Sequence, residues 1–167
     1  MKKYASIISL IIVLISAYWG FYDLSPTTLV QPKNDTEFSI EKALSHLKNI
    51  TEEVHYVGTE GHKNVQNYLF EELQKMGLNP SIQTQTVINR KWYAGTTTEN
   101  IIAKIKGKED GKALLLLSHY DSNPNLAIGA SDAGSGVVTI LEGVRAFLAK
   151  GEQPKNDIII LISDAEE

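Results

Sequence analysis

The chain contains no cysteine. That absence excludes disulfides, thiolate metal sites and cysteine nucleophiles, and leaves histidine, aspartate and glutamate as the available metal ligands. Positive charge is not in surplus either: 16 Lys and Arg stand against 20 Asp and Glu, a net charge of −4. There is no basic field to hold a phosphate backbone, so nucleic acid is not an expected partner. No internal repeat or low-complexity tract interrupts the 167 residues. With 43% hydrophobic and 22% charged residues, the chain has the make-up of one globular domain with a sizeable core.

A further absence is local: no charged residue lies between Tyr4 and Tyr22. Met1-Lys2-Lys3 precede this apolar run, and Tyr18, Trp19, Phe21 and Tyr22 close it. About 20 apolar residues suffice to cross a bilayer as a helix. Lysines before the run and aromatics after it predict a membrane anchor with everything past Asp23 on the non-cytoplasmic side. The rival reading is a signal peptide whose cleavage leaves a secreted domain, because the apolar core over 7–15 is short and Ser16-Ala17 are small. Against it, Ile15 fits poorly at the third position before a cut after Ala17. The expected organisation is an anchor or signal segment over 1–23, a linker over 24–37 containing Pro26 and Pro32, and a folded domain over 38–167.

Within that domain the spacing of Ile40, Ala43, Leu44, Leu47 and Ile50 predicts an amphipathic helix capped by Ser39. Val65, Tyr68, Leu69, Leu73 and Met76 predict a second helix, ended by Gly77. Alternation over 81–88 predicts a half-buried strand, and residues 100–105 predict another. The apolar runs 113–117 and 158–162 read as strands of a parallel sheet, buried on both faces, the first of them central. Between them lie a loop over 121–131 and a helix from about Gly134 to Ala149 with the face Val137, Ile140, Leu141, Val144, Phe147 and Leu148. The order implies an α/β fold in which a right-handed crossover joins the last two strands.

Three polar clusters fall at the ends of these elements. His119-Tyr120-Asp121 follows the first apolar run, and residues two apart at a strand end point the same way. An imidazole and a carboxylate can therefore share one side of the edge where open α/β sheets place their ligands. Asp132 precedes the small residues Ala133-Gly134-Ser135-Gly136, and it reads equally as a helix cap or as a ligand that the small residues let the backbone bring close to a metal. Glu166-Glu167 follows the second run; adjacent carboxylates repel each other in a low dielectric unless cations neutralise them, and a solvated acidic turn is the alternative. One histidine and several carboxylates suit Zn²⁺ or another divalent first-row ion. His46 is expected at the half-solvated flank of the first helix, and His55 and His62 flank the Gly58–Gly61 turn away from any strand end. All three are left outside the candidate site.

Residues 38–167 resemble the M28 family of zinc aminopeptidases, co-catalytic di-zinc exopeptidases. The likeness runs through Gly58-Thr59-Glu60-Gly61, Asn100-Ile101-Ile102-Ala103, Ser118-His119-Tyr120-Asp121-Ser122, the stretch from Gly129 to Val137, and Glu166-Glu167. It implies a three-layer α/β/α, zinc-exopeptidase-like mixed sheet. It also implies two Zn²⁺ ions and a peptide substrate, with His119 and Glu167 each binding one metal and Asp132 bridging both. Glu166 is then the general base that takes a proton from water and returns it to the leaving amine, and Asp121 assists from behind the ligands. Many relatives carry Asp-Asp or Asp-Asn where this chain has Asp132-Ala133. The family adds an Asp and a His downstream of the glutamate pair, together with further strands and helices, so the sequence is expected to be an amino-terminal fragment with little hydrolytic activity of its own. An anchor before such a domain is similar to the membrane-bound subgroup of the family. Two rival functions stand beside this one: a glutaminyl cyclase-like acyltransferase with a single zinc, and a non-catalytic membrane-tethered binding module on the same scaffold.

Overall fold

The computed structural model describes residues 2–25, 31–91, 93–125 and 127–167. The linker expected over 24–37 falls in part on residues 26–30, and the loop expected over 121–131 includes Leu126; these positions lie outside the described residues. Two compact units divide the chain, Met1–Gln31 and Pro32–Glu167.

Among its described residues the first unit holds one helix, α1 (Lys2–Leu24). Among the described residues of the unit none buries its apolar side chains, which are exposed from Ile7 to Leu24. At ~1.5 Å per residue the helix is about 34 Å long, against a hydrocarbon thickness of about 30 Å. The stretch Tyr4–Leu24 is long and apolar enough to cross a membrane, as are some signal sequences and soluble core helices.

In the second unit, α2 (Ile40–Ile50) starts where Ser39 accepts a hydrogen bond from the Lys42 N–H. It buries Ala43 and Ile50, while Leu44 lies on its exposed side. Helix α3 (Glu60–Lys75) starts at Thr59, whose side chain accepts from the His62 N–H. It ends at Gly77, whose φ of +80° suits a residue without Cβ, and the Leu78 N–H returns to the Leu73 carbonyl. Its buried stripe is His62, Val65, Gln66, Leu69 and Leu73, so two polar side chains join the face that faces the core.

Strands β1 (Ser81–Asn89) and β2 (Ala94–Ile105) form an antiparallel hairpin. Strands β3 (Leu114–His119) and β4 (Ile158–Ser163) are parallel, joined through α4 (Ser135–Leu148). The sheet order is β1-β2-β4-β3, an open mixed sheet. Ile101 and Ala103 of β2 lie beside Ile162 and Ile160 of β4, and this face forms the core with Leu69, Leu73, Val137, Leu141 and Val144.

Two strand expectations differ from the structure. Strand β3 lies at the sheet edge rather than at its centre, and Leu115 and Leu117 are 51% and 56% exposed. A continuous apolar run marks a strand suited to cover on both faces; among the described residues helices cover only the face shared with Ile160 and Ile162. The hairpin also departs from half-burial. Strand β4 pairs with β2 only from Ile101 to Ile105, so the rest of β1 and β2 projects past the end of β4 as a two-stranded arm, with Val87 and Ile88 exposed.

Charged groups tie the ends of the second unit. The buried Glu142 of α4 accepts from the Ser39 N–H at 2.7 Å and pairs with Arg145 at 2.6 Å, and Arg145 reaches the carbonyls of Asp35 and Glu37. Residues at the end of the expected linker are thus attached to α4. Before β4, Asp157 accepts from the Gly107 N–H at 2.8 Å and faces Lys104 and Lys106. The backbone bond first, then Lys104 and Lys106, bring the Asp157 pKa down to about 2. A lowered folded-state pKa contributes stability that is complete above the unfolded value near 3.9 and disappears as pH falls through the folded one. The denaturation midpoint should therefore fall between about pH 4 and pH 2, and Asp157→Asn should flatten that part of the profile. Equal pH dependence in the two proteins, measured by urea titration, would refute the assignment.

Candidate functional site

The carboxyl ends of β3 and β4 lie side by side because the strands are parallel and in register, with His119 opposite Ser163. One further backbone bond, Tyr120 N–H to the Ser163 carbonyl at 3.0 Å, carries the pairing past the end of β3. The next residue, Asp121, is 1% exposed. Its Oδ1 accepts from the Glu166 N–H at 3.2 Å and its Oδ2 from the Glu167 N–H at 3.1 Å. Asp121 thereby fastens the glutamate pair to the end of β3. Its backbone carbonyl accepts from His119 Nδ1 at 3.1 Å, and its Oδ1 lies 3.5 Å from the same nitrogen.

Asp132 reaches the site from the turn before α4. Residues Ala130–Gly134 form a wide turn in which Asp132 and Ala133 leave helical geometry. The N-cap of α4 is Gly134, with no side-chain cap, and the Asp132 carboxylate lies instead 3.0 Å from His119 Nε2. The glycines around it permit close approach within the protein: a Cβ at Gly134 would fall 2.6 Å from the Gly129 carbonyl oxygen, and one at Gly136 would fall 2.6 Å from Ser118 Oγ. The start of α4 therefore lies directly against β3, and this proximity brings Asp132 to His119.

The glutamates separate. After β4 the chain turns at Ala165, whose φ of +60° is uncommon for a residue with a Cβ. Glu166 Oε2 then lies 3.8 Å from His119 Nε2, while Glu167 Oε2 accepts from Asn123 Nδ2 at 2.7 Å. His119, Asp132 and Glu166 thus converge, Asp121 supports them, and Glu167 stands aside with Asn123.

The donor types, one imidazole and several carboxylates, are those that a divalent cation takes. His119 Nδ1 faces a carbonyl and Nε2 faces two carboxylates, so either a second ring proton or a cation must balance the Nε2 side. Burial works against a charged imidazole, but the Asp132 hydrogen bond and the carboxylates of Asp121 and Glu166 outweigh it, and the His119 pKa lies above the ordinary histidine value. Among the described residues no group of three or more His, Asp or Glu side chains is arranged to hold a metal ion.

Two histidines excluded at the sequence level support this edge. His62 is buried, with Nε2 2.7 Å from Asp164 Oδ1, and its ring stacks on Tyr120 at 4.8 Å. Asp164 also accepts from the Glu99 N–H at 2.7 Å, and its own N–H donates to Asn100 Oδ1. Burial alone raises the Asp164 pKa, but His62 and the Glu99 N–H bring it below the ordinary carboxylate value. His55 is buried too: its N–H donates to Ser122 Oγ at 2.9 Å, and a Cβ at Gly129 would meet its ring. The signal for His62 was its place in the stripe His62, Val65, Leu69, at i, i+3 and i+7; nothing in the spacing announces its partner 102 residues away. His46 is half-buried beside Tyr68, as expected.

Residues 100–167 match the family model described as Peptidase family M28. The chain is similar to the vacuolar membrane protease of Candida albicans (strain WO-1), at 30% identity over 99% of this chain and 20% of that protein. Among solved structures it is similar to Porphyromonas gingivalis glutaminyl cyclase, at TM-score 0.68 and 27% identity over 80% of this chain and 47% of the other. It is also similar to a Zn-dependent exopeptidase from Parabacteroides distasonis ATCC 8503, at TM-score 0.66 and 27% identity over 80% of this chain and 49% of the other. The chain thus spans about a fifth of its curated relative and about half of these solved chains. The mixed α/β fold is that of the zinc exopeptidases and glutaminyl cyclases. On the family model over residues 100–167, the vacuolar membrane protease and this shared fold, the chain is similar to peptidase family M28.

Proposed function

We propose that the carboxyl edge of β3 and β4 is part of a zinc-dependent peptidase site of aminopeptidase type. The observation that carries this reading is the convergence of His119, Asp132 and Glu166 from three separate segments, with Asp121 fastening the last segment to the first. The likeness to a Zn-dependent exopeptidase and to a vacuolar membrane protease supports it.

In this reading His119, Asp132 and Glu167 hold metal, with two ions in the full ligand set. Zinc, when bound, polarises the scissile carbonyl and lowers the pKa of water. Glu166, 64% exposed at its side chain, is free to reach a substrate. It takes the proton of the attacking water and returns it to the leaving amine. Asp132, 77% exposed at its side chain, faces the same space. The buried Asp121 holds the His119 ring and the backbone of both glutamates and does not meet substrate.

The likeness to a glutaminyl cyclase favours a second reading, a single-zinc acyltransferase. Protein expressed from the complete reading frame separates the two: hydrolysis of aminoacyl-arylamides with about two zinc ions supports the peptidase, whereas one zinc and cyclisation of amino-terminal glutamine supports the cyclase. Glu166→Gln should lower turnover at least about 100-fold with zinc content retained. Loss of metal instead would reverse the roles of the two glutamates, and a folded protein without zinc would end the reading.

We further assign α1 as an uncleaved anchor with the peptidase unit on the non-cytoplasmic side, from the length of its apolar run, the lysines before it and the aromatic residues at its end. After carbonate extraction the protein should stay with membranes and retain Met1 or the residue after it as its amino terminus. Soluble protein with a new terminus near Ala17 would support the signal-peptide reading.

A further inference from the structure

The projecting β1–β2 arm leaves one edge of β2 open beside the glutamates. From Ile105 to Ile101 that edge pairs with β4. At Glu99 it is still occupied: the N–H donates to Asp164 Oδ2 at 2.7 Å, and the carbonyl accepts from Tyr120 Oη at 3.2 Å. In an antiparallel strand alternate residues direct their N–H and C=O groups to the same side. Thr97 and Gly95 therefore present theirs on the side that Glu99 uses. Among the described residues nothing pairs with that edge at either position.

The space beside this edge is open on both faces of the arm. A cleft of about 650 Å³ lies on one face, bounded by Gln85, Val87, Thr96, Thr98 and the turn from Asp164 to Glu167. A second, of about 380 Å³, lies on the other, bounded by His62, Lys63, Thr97 and Glu99. Val57 and Thr96 line both, so the two clefts flank a single lane running along β2 beyond the end of β4. Side chains projecting alternately from an extended peptide in that lane would enter the two clefts in turn.

We propose that an extended segment of the peptide substrate binds as an added strand on the free edge of β2 at Thr97 and Gly95, in continuation of the lane of β4 and next to Glu166. The peptidase reading supplies the identity of the occupant, and the proposal rests on it to that extent. Backbone hydrogen bonds then give affinity with tolerance of sequence, and the clefts give whatever side-chain preference exists. Among the described residues Lys63 is the cation that lines the second cleft, and it is engaged with Gln66 and Glu99. Acidic side chains should accordingly be disfavoured beside Glu99, Glu166 and Glu167.

The test is a binding measurement that does not depend on turnover. A fluorescein-labelled, uncharged hexapeptide of β-branched residues is titrated into protein expressed from the complete reading frame, in the Glu166→Gln background to prevent cleavage. Anisotropy reports the Kd. Thr97→Pro removes a donor that faces the free edge and spares the ladder to β1, which keeps the strand tolerable to proline. It should raise the Kd about tenfold, as expected from losing one backbone hydrogen bond and leaving its acceptor on the peptide unpaired. A peptide N-methylated at alternate residues tests the same bonds without altering the protein, and one of its two registers should lose binding to a similar extent. Absence of binding at millimolar peptide, or equal Kd values for Thr97→Pro and for both N-methylated registers, would overturn the proposal. Binding without hydrolysis by the unsubstituted protein would support the lane while removing the peptidase reading, so the two fail separately.

Discussion

A buried carboxylate at the end of β3 organises the candidate site. Asp121 receives the N–H groups of Glu166 and Glu167 on its two oxygens while its backbone carbonyl receives His119 Nδ1. Hydrogen bonds to a buried charged acceptor are stronger than neutral ones, and a group so buried must be satisfied. Each oxygen has a specific backbone donor. That requirement makes the chain turn back after β4, through the left-handed Ala165, so that Glu166 lies near His119.

The other approaches serve the same edge. Gly134 and Gly136 admit the start of α4 against Gly129 and Ser118, which delivers Asp132 to His119. On the far side, His62 and the Glu99 N–H hold Asp164, so the end of β4 is attached to both α3 and β2 before the glutamates begin. The histidine, the two carboxylates near it and the glutamate beside Asn123 therefore stand on backbone that packing and buried hydrogen bonds have already placed.

Much of this was legible in the sequence, and the limits have physical causes. Apolar runs marked β3 and β4, and residues at their ends were readable because parallel strands in register bring their carboxyl ends together. Gly77 was readable as a helix end because its positive φ favours glycine. The exposure of Leu115 and Leu117 was not readable, since an apolar run reports suitability for burial and not the presence of a cover. Alternation in β1 identified a strand but not that its outer part would project past β4, which depends on where β4 ends. His62 and Asp164 are paired across 102 residues, and such a pairing leaves no local periodicity. That the Asp132 carboxylate contacts His119 and does not cap α4 is a pairing across 13 residues that spacing cannot reveal.

The central claim is that Asp121 orders the site through its two oxygens. Asp121→Asn keeps the size of the side chain but sets an amide NH₂ against the N–H of Glu166 or Glu167. Zinc affinity, measured by competition with a chelator on folded protein expressed from the complete reading frame, is the most direct test. The account predicts a loss of about 10–100-fold in the Asn variant. Unchanged zinc affinity in a protein of unchanged fold would contradict it.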